Sequence, residues 1–122
     1  MLDILIVDDS AAIRKILQRV LRQADIPIGS VYEAGDGQEA LERLRTQAVG
    51  LILSDINMPN MNGLELLGHL KASDTWRDLP VVMVSTESGQ AQVLEAVQLG
   101  AAGYVRKPFN AEQIKEKLAR FF

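Results

Sequence analysis

Cysteine is absent from this chain. That excludes a disulfide framework, a thiol nucleophile and a thiolate metal site, and it fits a reducing cytoplasm. A positive charge excess is also missing: the net charge is -3, which argues against a nucleic-acid surface. No apolar run reaches the length of a membrane span. The N-terminus has no basic region, and Asp8 and Asp9 cut its apolar run too short for a signal peptide. There is no internal repeat, low-complexity segment or linker. What remains is ordinary in amount, with 48% apolar and 24% charged residues, and 122 residues suffice for one domain with a real core.

The information lies where charge meets the apolar runs. Ile4-Leu5-Ile6-Val7 closes on Asp8-Asp9, and Leu51-Ile52-Leu53-Ser54 closes on Asp55. Gly103-Tyr104-Val105-Arg106 closes on Lys107, and Pro108 follows. Short apolar runs of this kind read as buried strands. If the strands are parallel, these charges share one edge of one sheet. Like charges about 4 Å apart repel by roughly 4 kcal/mol at an effective dielectric near 20. Folding alone does not ask for that, so the cluster points to a cation site and to chemistry on oxyanions.

Helical patterns separate the runs. Ser10 can cap a helix whose stripe is Ile13, Ile16, Leu17, Val20 and Leu21. After Pro27 and Gly29, Val31-Tyr32-Glu33-Ala34 reads as a short strand. Asp36 with Glu39 has the spacing of a capping box ahead of Ala40, Leu41 and Leu44. The loop from Asn57 to Gly63 is rich in turn residues, and Gly63 reads as a turn glycine. Leu64, Leu67 and Leu70 mark a third helix, which also carries His69, the only histidine. Pro80 introduces a strand ending at Ser85, and Val93, Ala96 and Val97 mark a fourth helix stopped by Gly100. Asn110 with Gln113 caps a last helix that turns Ile114, Leu118 and Phe121 inward. Trp76, on a helix-to-strand connection, reads as a packing residue at the opposite edge of the sheet.

This alternation is (βα)₅ and implies a parallel sheet with helices on both faces. Ligands in such sheets bind at the carboxyl ends of the strands. That edge presents Asp8, Asp9, Asp55, Ser85, Thr86 and Lys107, from four of the five predicted strands. Each residue also has a plain reading: strand-end or cap aspartates, a turn serine, a solvated lysine. Four independent accidents would be needed to bring them all to one edge.

The segments Val7-Asp8-Asp9-Ser10, Ser54-Asp55-Ile56-Asn57-Met58-Pro59, Val84-Ser85-Thr86-Glu87 and Tyr104-Val105-Arg106-Lys107-Pro108-Phe109 together resemble the receiver domain of two-component response regulators. The resemblance spans the chain and is strongest to stand-alone, CheY-like chemotaxis regulators. It implies a flavodoxin-like doubly wound sheet of strand order 2-1-3-4-5, an order known for that family rather than read from spacing. It implies a single receiver domain over residues 1–122 with no output domain. By resemblance Asp55 is the phosphoacceptor, with Lys107, the Ser85 hydroxyl and the Thr86 N–H meeting the phosphoryl oxygens. Asp9 and Asp55, Asp8 through water and the Asn57 carbonyl would hold Mg²⁺, with Mn²⁺ as the alternative. Ser85 and Tyr104 would form a switch, and the Lys107-Pro108 bond would be cis. The implied donor is a histidine kinase, since no histidine of this chain lies at the site. The implied target docks on the fourth helix, fifth strand and fifth helix, with the flagellar motor switch as one candidate. A cytoplasmic monomer, without nucleic-acid or membrane partners, is expected. It would catalyse its own phosphorylation and dephosphorylation without being an enzyme on a separate substrate.

Three positions depart from the commonest pattern: Ser85 stands where threonine is also frequent, Ile56 where the best-known chemotaxis proteins carry tryptophan, and Arg106 adds a cation. Rival readings remain open. A phosphate sink or a relay intermediate would use the same chemistry in another pathway. A haloacid-dehalogenase-like phosphatase shares the residue types, but its nucleophile ends the first strand and a general-acid aspartate stands where Asn57 does. Gly35-Asp36-Gly37-Gln38-Glu39-Ala40 fits a dinucleotide-binding G-x-G-x-x-A. Its two acidic residues, however, would sit where a pyrophosphate must bind.

Overall fold

The structure is a computed structural model whose description covers residues 2–86 and 90–122, with Gln90 as backbone only. Strands and helices alternate from end to end: β1 (Leu2–Val7), α1 (Ala11–Gln23), β2 (Ile28–Ala34), α2 (Gly37–Thr46) and β3 (Leu51–Ser54). Then come α3 (Gly63–Lys71), β4 (Val81–Ser85), α4 (Gln90–Gln98), β5 (Gly103–Arg106) and α5 (Ala111–Leu118). A 3-10 turn over Ala119–Phe121 extends the last helix. All four strand pairings are parallel, in the order β2-β1-β3-β4-β5. This is the flavodoxin-like fold that the resemblance implied.

The period of two in the strands divides the core. Leu5, Val7, Ile52, Val81 and Met83 face α2, α3 and α4, and meet Ala40, Leu66, Leu67, Leu70 and Ala96. Ile4, Ile6, Leu51, Leu53, Val82 and Val84 face α1 and α5, and meet Leu17, Leu21, Ile114 and Leu118. Each such fully buried aliphatic side chain contributes about 1.5–3 kcal/mol relative to exposure. Strands this continuously apolar belong inside a two-faced parallel sheet.

Helix starts follow local chemistry. The Ser10 hydroxyl accepts the Ile13 N–H at 3.2 Å, and the Asp36 carboxylate accepts the Glu39 N–H at 2.9 Å. Asn110 and Gln113 form a reciprocal capping box. So do Asn62 and Glu65, inside the segment that reads from sequence as turn.

Several expectations shift. β2 begins at Ile28, three residues before Val31, because Ile28 still pairs with Leu2 of β1 across an irregularity in the ladder between Leu2 and Ile4. Ile16 and Val97 lie on predicted apolar stripes but are 43% and 59% exposed, since among the described residues no element covers the outer flank of either helix. Leu66 rather than Leu64 is the fully buried leucine of the first turn of α3. Gly63 is the first residue of α3 and not a turn glycine.

Candidate functional site

Parallel pairing puts the carboxyl ends of β1, β3, β4 and β5 side by side. The ladder runs one residue past the strands: the Asp55 N–H donates to the Val7 carbonyl at 2.9 Å, and the Lys107 N–H to the Ser85 carbonyl at 2.9 Å. Asp8, Asp55 and Lys107 are therefore placed by backbone bonds at the rim and not by loose loops. Carboxylate oxygens of Asp8, Asp9 and Asp55 come within 4.8 Å of one another.

Asp8 is buried and fully engaged. Its Oδ2 receives the Lys107 ammonium at 2.7 Å, and its Oδ1 accepts the Ser10 N–H at 2.9 Å. Its N–H donates to the Ala34 carbonyl at 3.0 Å. Stripping a buried charge of its partner typically costs about 3–5 kcal/mol, so Asp8 and Lys107 hold each other in place. Asp9 is exposed and faces the opening. Asp55 lies between: its Oδ2 is 3.4 Å from Lys107, and its Oδ1 accepts the Ile56 N–H at 2.7 Å. Burial pushes the Asp55 carboxyl above its ordinary pKa, and the Asp8 charge adds to the rise. The Lys107 ammonium and the Ile56 N–H act in the opposite direction.

The remaining predicted residues fall around this centre. Ser85 is fully buried at the end of β4, and Thr86 is exposed just beyond it. Asn57 is exposed in the loop after Asp55. Glu87, the last residue of its matching segment, lies outside the described residues. Tyr104 pairs with Met83 across the β4–β5 ladder and packs, half-buried, on the α2–α4 face. Alternation puts Ser85 on that same face, two residues after Met83. The Lys107-Pro108 peptide bond is cis. His69 is exposed on α3, and Trp76 packs beside Leu79 against the core.

Two contributors were not legible in the sequence. The Ser54 hydroxyl, fully buried, donates to the Asp55 carbonyl at 2.9 Å. Gly63 approaches that same carbonyl so closely that a Cβ there would overlap it. Neither residue type carries a chemical flag, and only the tertiary contact reveals them.

The dinucleotide reading fails on geometry. The Gly37 N–H at the start of α2 donates to the Met61 carbonyl at 3.0 Å, and the Met61 side chain packs against Gly37. Asn60 donates to Asp36 at 2.8 Å. The β3–α3 loop thus sits where a pyrophosphate would bind.

Known proteins agree with this geometry. The sequence profile of the response regulator receiver domain matches residues 4–119. The chain is 40% identical over 119 residues to the chemotaxis protein CheY-3 of Vibrio cholerae serotype O1, covering 98% of this chain and 90% of that protein. It is 41% identical over 119 residues to the chemotaxis protein CheY of Pseudomonas aeruginosa, covering 98% and 94%. The solved structure of the chemotaxis response regulator CheY4 of Vibrio cholerae superposes with a TM-score of 0.86 at 34% identity, covering 100% of this chain and 99% of that one. The phosphorylated cyanobacterial phytochrome response regulator RcpA superposes at 0.81 with 29% identity, covering 94% and 86%. A match over nearly the whole chain, on a sheet of the expected order with its acidic cluster at the carboxyl edge, identifies a signalling protein: the chain belongs to the response regulator receiver domain family.

Proposed function

We propose that this chain accepts a phosphoryl group on Asp55 from a partner histidine kinase and passes the signal on by changing its own surface. One observation carries the reading: the Lys107 ammonium sits 2.7 Å from Asp8 and 3.4 Å from Asp55, at the rim where three carboxylates converge. A carboxylate attacks an anionic phosphoryl group poorly unless the charge between them is offset. Lys107 supplies one fixed positive charge against three negative ones, so a further cation fits. The donor set is all hard oxygen, as Mg²⁺ or Mn²⁺ prefers. Asp9 and Asp55 directly, Asp8 through water and the Asn57 carbonyl would hold it. Bound there, the metal would neutralise charge on the phosphoryl oxygens.

The chain's own groups do the rest. An Asp55 carboxylate oxygen bonds to phosphorus as the P–N bond of the donor phosphohistidine breaks, and the imidazole leaves with the electron pair. Lys107 draws the transferred oxygens in as a compact cation, while the Ser85 hydroxyl and the Thr86 N–H donate to them. Positioning and charge are what a loose phosphoryl transition state requires. The same groups serve the later hydrolysis, so the chain catalyses its own phosphorylation and dephosphorylation. The acyl phosphate adds about -1.5 to -2 of charge. Ser85 moves toward it, Tyr104 turns inward on the shared face, and the α4–β5–α5 surface changes its fit for a target protein.

Relatives named as chemotaxis proteins favour a chemotactic pathway, with the flagellar motor switch as the candidate target. We place the chain in the cytoplasm as a monomer acting through protein contacts. Incubation with acetyl phosphate and Mg²⁺ tests the reading. Intact mass should show one added phosphate in wild type, and none in Asp55→Ala or without divalent metal. Labelling that persists in either control would overturn it.

A further inference from the structure

We propose that Arg14, on α1, is a positioning residue that aims Asp9 at the metal. The proposal rests on the metal reading above. Among the described residues Arg14 makes no ion pair with the three acidic side chains at the rim, yet its Nη1 donates to the Asp8 carbonyl at 2.6 Å. Its Nε donates to Glu33 Oε1 at 2.9 Å, and Glu33 lies near the end of β2. The Arg14 side chain is only 19% exposed. A planar fork held at two points by a carboxylate and a carbonyl has little freedom left.

What this fixes is the backbone around Asp9. The Asp8 carbonyl belongs to the peptide plane on the N-terminal side of the Asp9 α-carbon, and Arg14 holds that plane. The plane on the C-terminal side carries the Ser10 N–H, which donates to Asp8 Oδ1 at 2.9 Å. Both planes flanking Asp9 are therefore clamped, one by Arg14 and one by Asp8. With φ and ψ set, the direction of the Cα–Cβ bond is set, and the exposed carboxylate has only its side-chain rotamers left to choose among. Asp8 itself needs no such help, since Lys107 and Ser10 already hold its side chain. Glu33 anchors the clamp to the edge strand of the sheet.

The sign of the effect separates positioning from simple charge. Arg14→Ala removes a cation near an acidic cluster, so Coulomb attraction alone would make Mg²⁺ bind more tightly. Positioning makes it bind more weakly, by about 10- to 100-fold, the usual loss when a residue orienting a metal ligand is removed. Arg14→Lys keeps the charge and loses the fork, so it should also weaken binding; the charge account expects no change. Glu33→Gln, which loosens the guanidinium at its far end, should weaken binding to a smaller degree.

Calorimetric titration of the folded, metal-free protein with MgCl₂ reads the affinity, and urea denaturation reads stability separately. In an Asp9→Asn background, Arg14→Lys should have little further effect on Mg²⁺ affinity, because both changes remove the same contribution. Unchanged or tighter Mg²⁺ binding by Arg14→Lys and Glu33→Gln, with only stability lowered, would overturn the positioning role while leaving the metal reading intact. Failure of wild type to bind Mg²⁺ would overturn both.

Discussion

Gly63 stands at the start of α3 because the Asp55 backbone leaves no room for anything larger. A Cβ built there would overlap the Asp55 carbonyl oxygen and come within 2.9 Å of the Met83 methyl. Met83 could turn aside, whereas a backbone carbonyl at a strand end cannot. Gly63→Ala should therefore destabilise the fold by about 3 kcal/mol, at the upper end of overpacking costs, and slow phosphorylation by displacing Asp55. Urea denaturation and the rate of labelling by acetyl phosphate check the two halves. Asp55 makes a second residue-scale prediction. Its carboxyl is raised above the ordinary value, first by burial, so the folded protein holds the proton more readily than the unfolded chain. Its contribution to stability is then fully present below the unfolded pKa and is lost as pH rises through the folded one. Ionised Asp55 is thus a liability to the metal-free protein at neutral pH. Asp55→Asn should be more stable than wild type there, with the advantage shrinking as pH falls into the acid range. Urea midpoints at several pH values, without metal, read this directly.

The elements differ in how much of themselves they announce. Ile4–Val7 of β1, Leu51–Leu53 of β3 and Val81–Val84 of β4 are apolar runs buried on both faces, and sequence alone locates them, though β1 itself begins two residues earlier at Leu2. β2 is an edge strand of intermediate burial, and Gly29 and Ser30 interrupt its apolar character, so its first residues do not read as strand. The stripes of α1 and α4 continue onto Ile16 and Val97 because periodicity reports what could be buried, and among the described residues nothing covers these two side chains. Asn62 and Glu65 form a capping box that a run of turn residues conceals. The charged rim residues were legible because each ends its strand and carries its own chemistry. Ser54 and Gly63 were not, because their roles are contacts with one carbonyl. A prediction at this scale concerns β4 and β5. Ser85 and Tyr104 share the α2–α4 face, with Met83 adjacent to both. Ser85→Ala should still be phosphorylated on Asp55 but fail to transmit it. NMR shifts at Tyr104 and along α4 on adding beryllofluoride should fall to less than half of those in wild type. A full response in the variant would break the link.

Across the whole molecule, the acidic rim and Trp76 occupy opposite ends of the sheet. The acidic rim lies at the carboxyl ends of the strands, whereas Trp76 packs with Leu79 in the connection that leads into β4. A ligand that binds only the folded site stabilises by mass action, by about 2.7 kcal/mol at a hundred times its dissociation constant. Mg²⁺ should accordingly raise the Tm of wild type. Asp9→Asn should melt higher than wild type without metal, because one repelling charge is gone, and gain little when Mg²⁺ is added. Trp76 fluorescence should hardly change in the same titration; a large quench would contradict its distance from the rim. The Lys107–Asp8 pair joins residues 99 positions apart. On a ribosome, Asp8, Asp9 and Asp55 emerge long before Lys107, and a domain generally folds as a unit. A nascent chain therefore shows the acids without the cation that draws a phosphoryl group in. A kinase meeting such a chain finds no complete acceptor, so signalling competence begins only once Lys107 has emerged and folded against Asp8.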